Sequence, residues 1–321
     1  MKNQYLFPLA AAALACTLPA AAQEYPSKTI RMVVPFPPGG GSDTIARVLA
    51  QRLTATMGQT LVSDNRAGAS GNIAADIVAK APGDGYTILF GNSSLAISPA
   101  AFTKLSYDPI KDLAPVSMVS SYPFVLVSHP SLPVKNVKEL IALAKAKPEV
   151  LTYSSAGPGT LSHFAMELFR LSTGVKVTHL PYKGAAPAGI AVMAGEAHIS
   201  FLVMPVAQAQ IRVNRLRGLG VAAKTRAPVI PQVPTMEEAG VKGHIALQWN
   251  GLFVPSSTPR AIVDRLHREV VAALALQDIK QRLADEGADP VGSSPAEFAA
   301  FFRSEADKWG EVARRSGTKL D

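Results

Sequence analysis

Small hydroxyl and amide side chains gather beside glycines in four segments: Gly39-Gly40-Gly41-Ser42-Asp43, Asn92-Ser93-Ser94, Ser154-Ser155-Ala156-Gly157-Pro158-Gly159-Thr160 and Tyr182-Lys183-Gly184. Each ends an apolar run with strand character, and the first and third lead straight into residues with helical spacing. Glycine leaves no Cβ between the backbone N–H groups and an approaching ligand, and a helix start offers unpaired N–H groups at the positive end of its dipole. The chemistry favoured there is capture of an anion. Pro35, Pro37, Pro38 and Pro158 stiffen these approaches, so less entropy is lost when a loop closes on a ligand. The stretch through Gly39 to Asp43 fits neither G-x-G-x-x-G nor G-x-x-x-x-G-K-[ST], so a nucleotide phosphate is not the anion indicated there.

Catalytic patterns are missing from the same residues. Ser42 and Ser70 lack the G-x-S-x-G elbow that exposes a nucleophile. The six histidines, His129, His163, His179, His198, His244 and His267, stand singly without metal-ligand spacing. His163 and His179 differ from the others in lying near the end of a binding loop and of a strand. The expectation is a binding protein, not an enzyme, with no metal and no cofactor.

A globular chain has to position these loops. The 321 residues are 48% hydrophobic and 17% charged, which suits about two domains with a substantial core. Lys2, the apolar Leu6 to Leu18 and the small residues Pro19-Ala20-Ala21-Ala22 have the pattern of a secretory leader cut after Ala22. The only cysteine, Cys16, falls within that leader, and Ala13-Leu14-Ala15-Cys16 is a poor lipobox. A periplasmic product without disulfides or thiolate chemistry is expected. The formal charge of +8 comes from scattered lysines and arginines, with no motif for nucleic acid, which is not expected as a partner.

Strands and helices alternate along the chain, which indicates an α/β fold with a mainly parallel sheet and ligand loops at strand carboxyl ends. Thr29 to Val34 reads as a buried strand and Thr44 to Met57 as a helix, capped by Ser42 or Asp43, with Ile45, Val48, Leu49 and Leu53 on one face. Val116 to Ser121 and Phe124 to Ser128 read as two strands separated by Tyr122-Pro123, where the chain crosses to a second domain. Thr160 is a hydroxyl cap for a helix from Leu161 to Thr173; Val175 to Leu180 is a strand and Pro187 to Ala194 a helix. Asn136 with Glu139, Thr235 with Glu238 and Ser294 with Glu297 make capping pairs, and Thr258-Pro259 opens a long helix. The run Ile245 to Val254 returns to the first domain.

The ordered set Pro35-Phe36-Pro37-Pro38-Gly39-Gly40-Gly41-Ser42-Asp43, Asp64-Asn65-Arg66-Ala67-Gly68-Ala69-Ser70-Gly71-Asn72, Asp84-Gly85-Tyr86-Thr87, Tyr153-Ser154-Ser155-Ala156-Gly157 and Pro181-Tyr182-Lys183-Gly184 resembles the Bug or TctC family. Members of that family are extracytoplasmic solute receptors of tripartite tricarboxylate transporters. The resemblance covers the whole expected mature chain and implies a type II periplasmic-binding-protein fold. Two α/β domains, residues 23–121 with 249–321 and residues 122–248, would be joined by two crossing strands and close on a small carboxylate. Matching motif positions imply first-domain contacts from Phe36, Gly40, Gly41, Ser42, Asp43, Asn92 and Ser93. Those of the second domain would be Ser154, Ala156, Gly157, Thr160, Tyr182 and Lys183. The implied partners are the integral-membrane subunits of the transporter, with the receptor itself a monomer. Family members commonly carry a polar residue shortly after the strand equivalent to Ile199 to Leu202; Val203-Met204 here lean toward an apolar or aromatic carboxylate. The competing class is an exported enzyme on the same fold acting on a small carboxylate.

Overall fold

The computed structural model describes residues 25–39 and 41–320; the expected leader with its cut after Ala22, and Gly40, lie outside the described residues. One half of the sheet is built from β1 (Ile30–Val34), α1 (Gly41–Met57), β2 (Leu61–Asn65), α2 (Asn72–Ala79), β3 (Thr87–Asn92) and α3 (Ser94–Ala101). A long strand, β4 (Leu113–Ser128), then crosses into the other half. That half holds α4 (Val137–Ala146), β5 (Thr152–Ser155), α5 (Leu161–Thr173), β6 (Thr178–Pro181), α6 (Ala185–Met193), β7 (Ile199–Val203), α7 (Met204–Arg212) and β8 (Arg217–Val221). The return strand β9 (Leu247–Pro255) leads to α8 (Arg260–Ala275), α9 (Gln277–Asp285), β10 (Asp289–Pro290) and α10 (Pro295–Ser316).

The result is the expected α/β fold in two lobes. The strands run in the order β2-β1-β3-β9-β4-β7-β5-β6, with β8 and β10 pairing on β4. Strands linked through helices are parallel: β1 with β2 and β3, β5 with β6 and β7. The crossing strands β4 and β9 run antiparallel to each other and to their outer neighbours β7 and β3.

Alternation along the strands sends side chains into two cores, one on each face of the sheet. Val33, Leu89, Phe124 and Leu126 join α2, α3, α5 and α10 in one. Ile30, Met32, Val34, Ile88, Phe90, Val125 and Val127 join α1, α6, α7 and α8 in the other. Each buried Leu, Ile or Phe contributes about 1.5–3 kcal/mol, so both cores hold the crossing strands from either side. Gly251 on β9 is required there, because a Cβ would stand 2.2 Å from the Phe298 ring of α10. That close approach lets Phe298 pack edge-on against Trp249 at 5.5 Å between centroids.

Several local expectations are corrected. The two runs around Tyr122-Pro123 form one strand, β4, because Pro123 is the last residue paired with β9 and Phe124 the first paired with β7. The missing N–H of proline therefore falls where the partner changes, with no ladder bond lost. Helix α1 begins at Gly41, so Ser42 and Asp43 lie inside its first turn and not before it. Strand β6 starts at Thr178 and α6 at Ala185, after the left-handed Gly184. Thr258 does not cap α8; Pro259 is the capping residue and the Thr258 hydroxyl is buried with no hydrogen-bond partner among the described residues. The Asn136 and Ser294 caps are formed as expected, while the reciprocal Thr235–Glu238 bonds close a turn and not a helix.

Candidate ligand-binding site

A cavity of about 280 Å³ lies between the lobes. Five helices begin at its wall: Ser42 represents α1, Ser94 α3, Leu161 and Ser162 α5, Ala185 to Ala188 α6, and Pro205 with Val206 α7. Each helix start has N–H groups that no intrahelical carbonyl can reach, and their dipoles add a positive field inside the cavity. Among the described lining residues no Asp or Glu is present, and Lys183 is the one cation. Much of the remaining wall is apolar, with Phe36, Pro37, Pro38, Tyr122, Phe124, Phe201, Leu202 and Val203, and Asn92, Thr160 and Gln248 add uncharged polar groups.

Of the residues expected to touch ligand, Phe36, Ser42, Asn92, Ala156, Thr160 and Lys183 line this cavity. Gly40 lies outside the described residues. Asp43, Ser93, Ser154, Gly157 and Tyr182 are not among the described lining residues, and the bonds several of them make show what they do. Asp43 accepts hydrogen bonds from Gly39 N (2.9 Å), Arg47 Nε (2.9 Å) and Asn65 Nδ2 (2.8 Å), so its carboxylate braces the glycine loop. Burial pushes its pKa up, but the bonds from Arg47, Asn65 and Gly39 outweigh that and hold it below the usual carboxylate range. Ser93 donates to Gln248 Oε1 and Ser154 to the Ala188 carbonyl, both fully buried. The Tyr182 hydroxyl donates to Glu196.

The second-domain loop has spent most of its own donors on its own shape. Ala156 N donates to Ser162 Oγ, Gly157 N to Ser155 Oγ, Gly159 N to His163 Nδ1 and Thr160 N to the Gly157 carbonyl. Thr160 gives α5 no side-chain cap; its hydroxyl turns back to Gly157 O at 2.6 Å. The first-turn amides of α5 and α6 remain without intrahelical partners at the cavity wall, whereas the Ser162 hydroxyl is taken up, accepting from Ala156 N and meeting Thr160 Oγ1 at 3.0 Å.

The crossing strands supply the residues that sequence reasoning missed. Tyr122 and Phe124 of β4 and Gln248 of β9 line the cavity from the base of the cleft. Ser42 Oγ donates to Asn250 Oδ1 of β9 at 2.9 Å, and Asn250 Nδ2 donates to Ser120 Oγ of β4 at 3.2 Å. Polar residues interrupting the otherwise apolar run Leu247 to Pro255 were the available signal. The lobes also touch directly: Ser70 Oγ donates to the Pro158 carbonyl, and Gln208 Nε2 on α7 to the Asp285 carbonyl of α9 at 2.9 Å. Among the described residues no group of three His, Cys, Asp or Glu side chains is placed to hold a metal, and no helix is long and apolar enough to cross a membrane.

Comparison with known proteins points to one family. Residues 45–318 match the family model for the tripartite tricarboxylate transporter family receptor, TctC. The chain is 38% identical over 304 residues to protein BugT of Bordetella pertussis, covering 94% of this chain and 93% of that one. Among solved structures, R. palustris Rpa4515 with adipate superposes with a TM-score of 0.86 at 36% identity, over 92% of this chain and all of that one. MatC (Rpa3494) from Rhodopseudomonas palustris with bound malate superposes with a TM-score of 0.82 at 33% identity, over 90% and 99% of the two chains.

Proposed function

Because the chain belongs to the tripartite tricarboxylate transporter receptor family, we propose that it captures a small carboxylate between its lobes and delivers it to the integral-membrane subunits of such a transporter. The observation that carries this reading is the convergence of five helix starts and Lys183 on a cavity with no acidic side chain among its described lining residues. A carboxylate placed there accepts hydrogen bonds from first-turn amides of α5 and α6, with Lys183 closing over it. Charge-assisted bonds of this kind contribute about 1.5–3 kcal/mol each, so three or four account for micromolar capture.

Residues 23–121 with 249–321 act as one closing unit and 122–248 as the other, and the chain works as a monomer in the periplasm after removal of its leader. Phe124, Phe201, Leu202 and Val203 favour a ligand with an apolar body behind its carboxylate. Such a body also fits the adipate bound by one structural relative better than the malate bound by another. The protein binds its ligand and releases it chemically unchanged. A thermal-shift screen of mono-, di- and tricarboxylates against their neutral amides tests the proposal, followed by recovery of the bound compound. Stabilisation by carboxylates alone, with the compound recovered intact, is the expected result; turnover, or no carboxylate response, would overturn it.

A further inference from the structure

Behind the second-domain loop lies a stack of three rings that the binding reading does not use. His163 and His179 stack with centroids 4.4 Å apart and planes 8° from parallel, and Tyr153 covers the other face of His179 at 4.6 Å. Both imidazoles bond to the loop. His163 Nδ1 accepts from Gly159 N at 3.2 Å, and His179 Nε2 lies 2.6 Å from Ser155 Oγ, which itself accepts from Gly157 N at 3.1 Å. An Nδ1 that accepts carries no proton, so the His163 proton sits on Nε2, facing Glu167 Oε1 at 3.8 Å. Glu167 is buried and held by Arg170 at 2.7 Å and by the Tyr153 hydroxyl at 3.3 Å.

We propose that His163 and His179 are positioning residues for ligand capture: as a neutral stacked pair they hold Gly157 and Gly159, and a proton on His163 releases the loop. This rests on the carboxylate-binding reading only for its effect on affinity; the brace itself belongs to the ligand-free protein. A protonated Nδ1 would point an N–H at the Gly159 N–H, removing the bond and setting two donors against each other. Gly157 sits at φ 130°, where a Cβ would stand 3.2 Å from the Tyr182 carbonyl, so the conformation that the brace holds is one for glycine alone. The charged and titratable groups facing the pair are Glu167 and Arg170 on α5 and Tyr153 on β5. Arg170 already neutralises Glu167, so little remains to attract a proton to the pair. Burial, then the Arg170 charge, hold His163 at about 4; burial, then its stacked partner, hold His179 at about 4.

Amide hydrogen exchange of the ligand-free protein tests the brace, with adipate as the probe for affinity. At neutral pH, His163→Phe should speed exchange at Gly159 by about tenfold or more, the scale of one lost buried hydrogen bond, with protection in β1 and α8 unchanged. His163→Asn offers Oδ1 where Nδ1 stood, so it should keep Gly159 protected within about threefold. Acidified toward its titration at about 4, the wild type should lose Gly159 protection beyond the intrinsic pH effect, and His163→Asn should not. Adipate affinity should follow the same order. Equal Gly159 protection in wild type and His163→Phe, or the same acid loss in His163→Asn, would overturn the brace. If His163→Phe does not fold, the acid comparison with His163→Asn decides alone. Failure of adipate and other carboxylates to bind while the exchange pattern holds would count against the ligand assignment and leave the brace standing.

Discussion

Ser42, in the first turn of α1, donates its hydroxyl to Asn250, a fully buried residue of the crossing strand β9 that lies 208 positions further along the chain. One end of this bond is in the cavity wall and the other is in the strand pair on which the two lobes meet. Ser42 thereby joins the first-domain loop to both crossing strands, through Asn250 of β9 and through the Tyr122 hydroxyl of β4. Ser42→Ala should cost about 1–2 kcal/mol in urea unfolding, since Asn250 Oδ1 is left in a dry site. Calorimetry with a bound carboxylate should show a loss of affinity beyond what the stability change explains. A stability loss with affinity unchanged would make Ser42 purely structural.

Asp43 should behave as a brace and not as a ligand contact. Asp43→Asn keeps the shape and loses charge-assisted bonds to Arg47 and Gly39, which costs about 1–3 kcal/mol at neutral pH. The sign with pH follows from the depressed folded pKa: the contribution is present above the ordinary carboxylate value of about 3.9 and is lost as pH falls through the folded value. The deficit of the variant should therefore shrink in acid below about pH 4. A deficit that stays constant to lower pH would contradict the assignment.

The residues that open helices were legible, because strand, glycine-proline loop and helical spacing occur in one local stretch at Val33 to Met57 and again at Leu151 to Thr173. Which way each hydroxyl points was not. Ser93 and Ser154 carry the same local signal as Ser42 and Ser94, yet their hydroxyls bond Gln248 and the Ala188 carbonyl, partners 155 and 34 residues away. Gln248, Tyr122 and Phe124 were hidden for a related reason. They lie in crossing strands that read as core, and only the apposition of the two lobes turns one side of those strands toward the cavity.

His244 offers a separate acid-stability test. Its ring is stacked on Phe201 at 4.9 Å, and neither nitrogen has a hydrogen-bond partner among the described residues. Burial, then the charge of Lys308, push its pKa down to about 3. Between that value and the ordinary histidine pKa of about 6.5, the unfolded chain binds a proton that the folded chain refuses, so stability falls as pH falls. His244→Phe should remove about one proton from this dependence, close to 1.4 kcal/mol per pH unit, as read from urea unfolding at several pH values. An unchanged slope would show that His244 is protonated in the fold.

Val203 sets the apolar character of the cavity wall next to Phe124, its cross-strand neighbour. Val203→Asn should weaken adipate by roughly tenfold, the scale expected for an unpaired polar group facing an apolar ligand body. Binding of the hydroxylated malate should be weakened less or improved. Competition titration of the two acids checks the ratio; parallel losses would place the ligand away from Val203.

Recognition of a carboxylate between the two lobes is the property on which the proposed function stands or falls. Calorimetric titration of adipate and of its uncharged diamide into the wild-type protein tests it most directly, because the two differ only in the groups that meet the helix starts and Lys183. Saturable micromolar binding of the diacid and none of the diamide is the expected result. Equal binding of the two, or binding of the diamide alone, would contradict it.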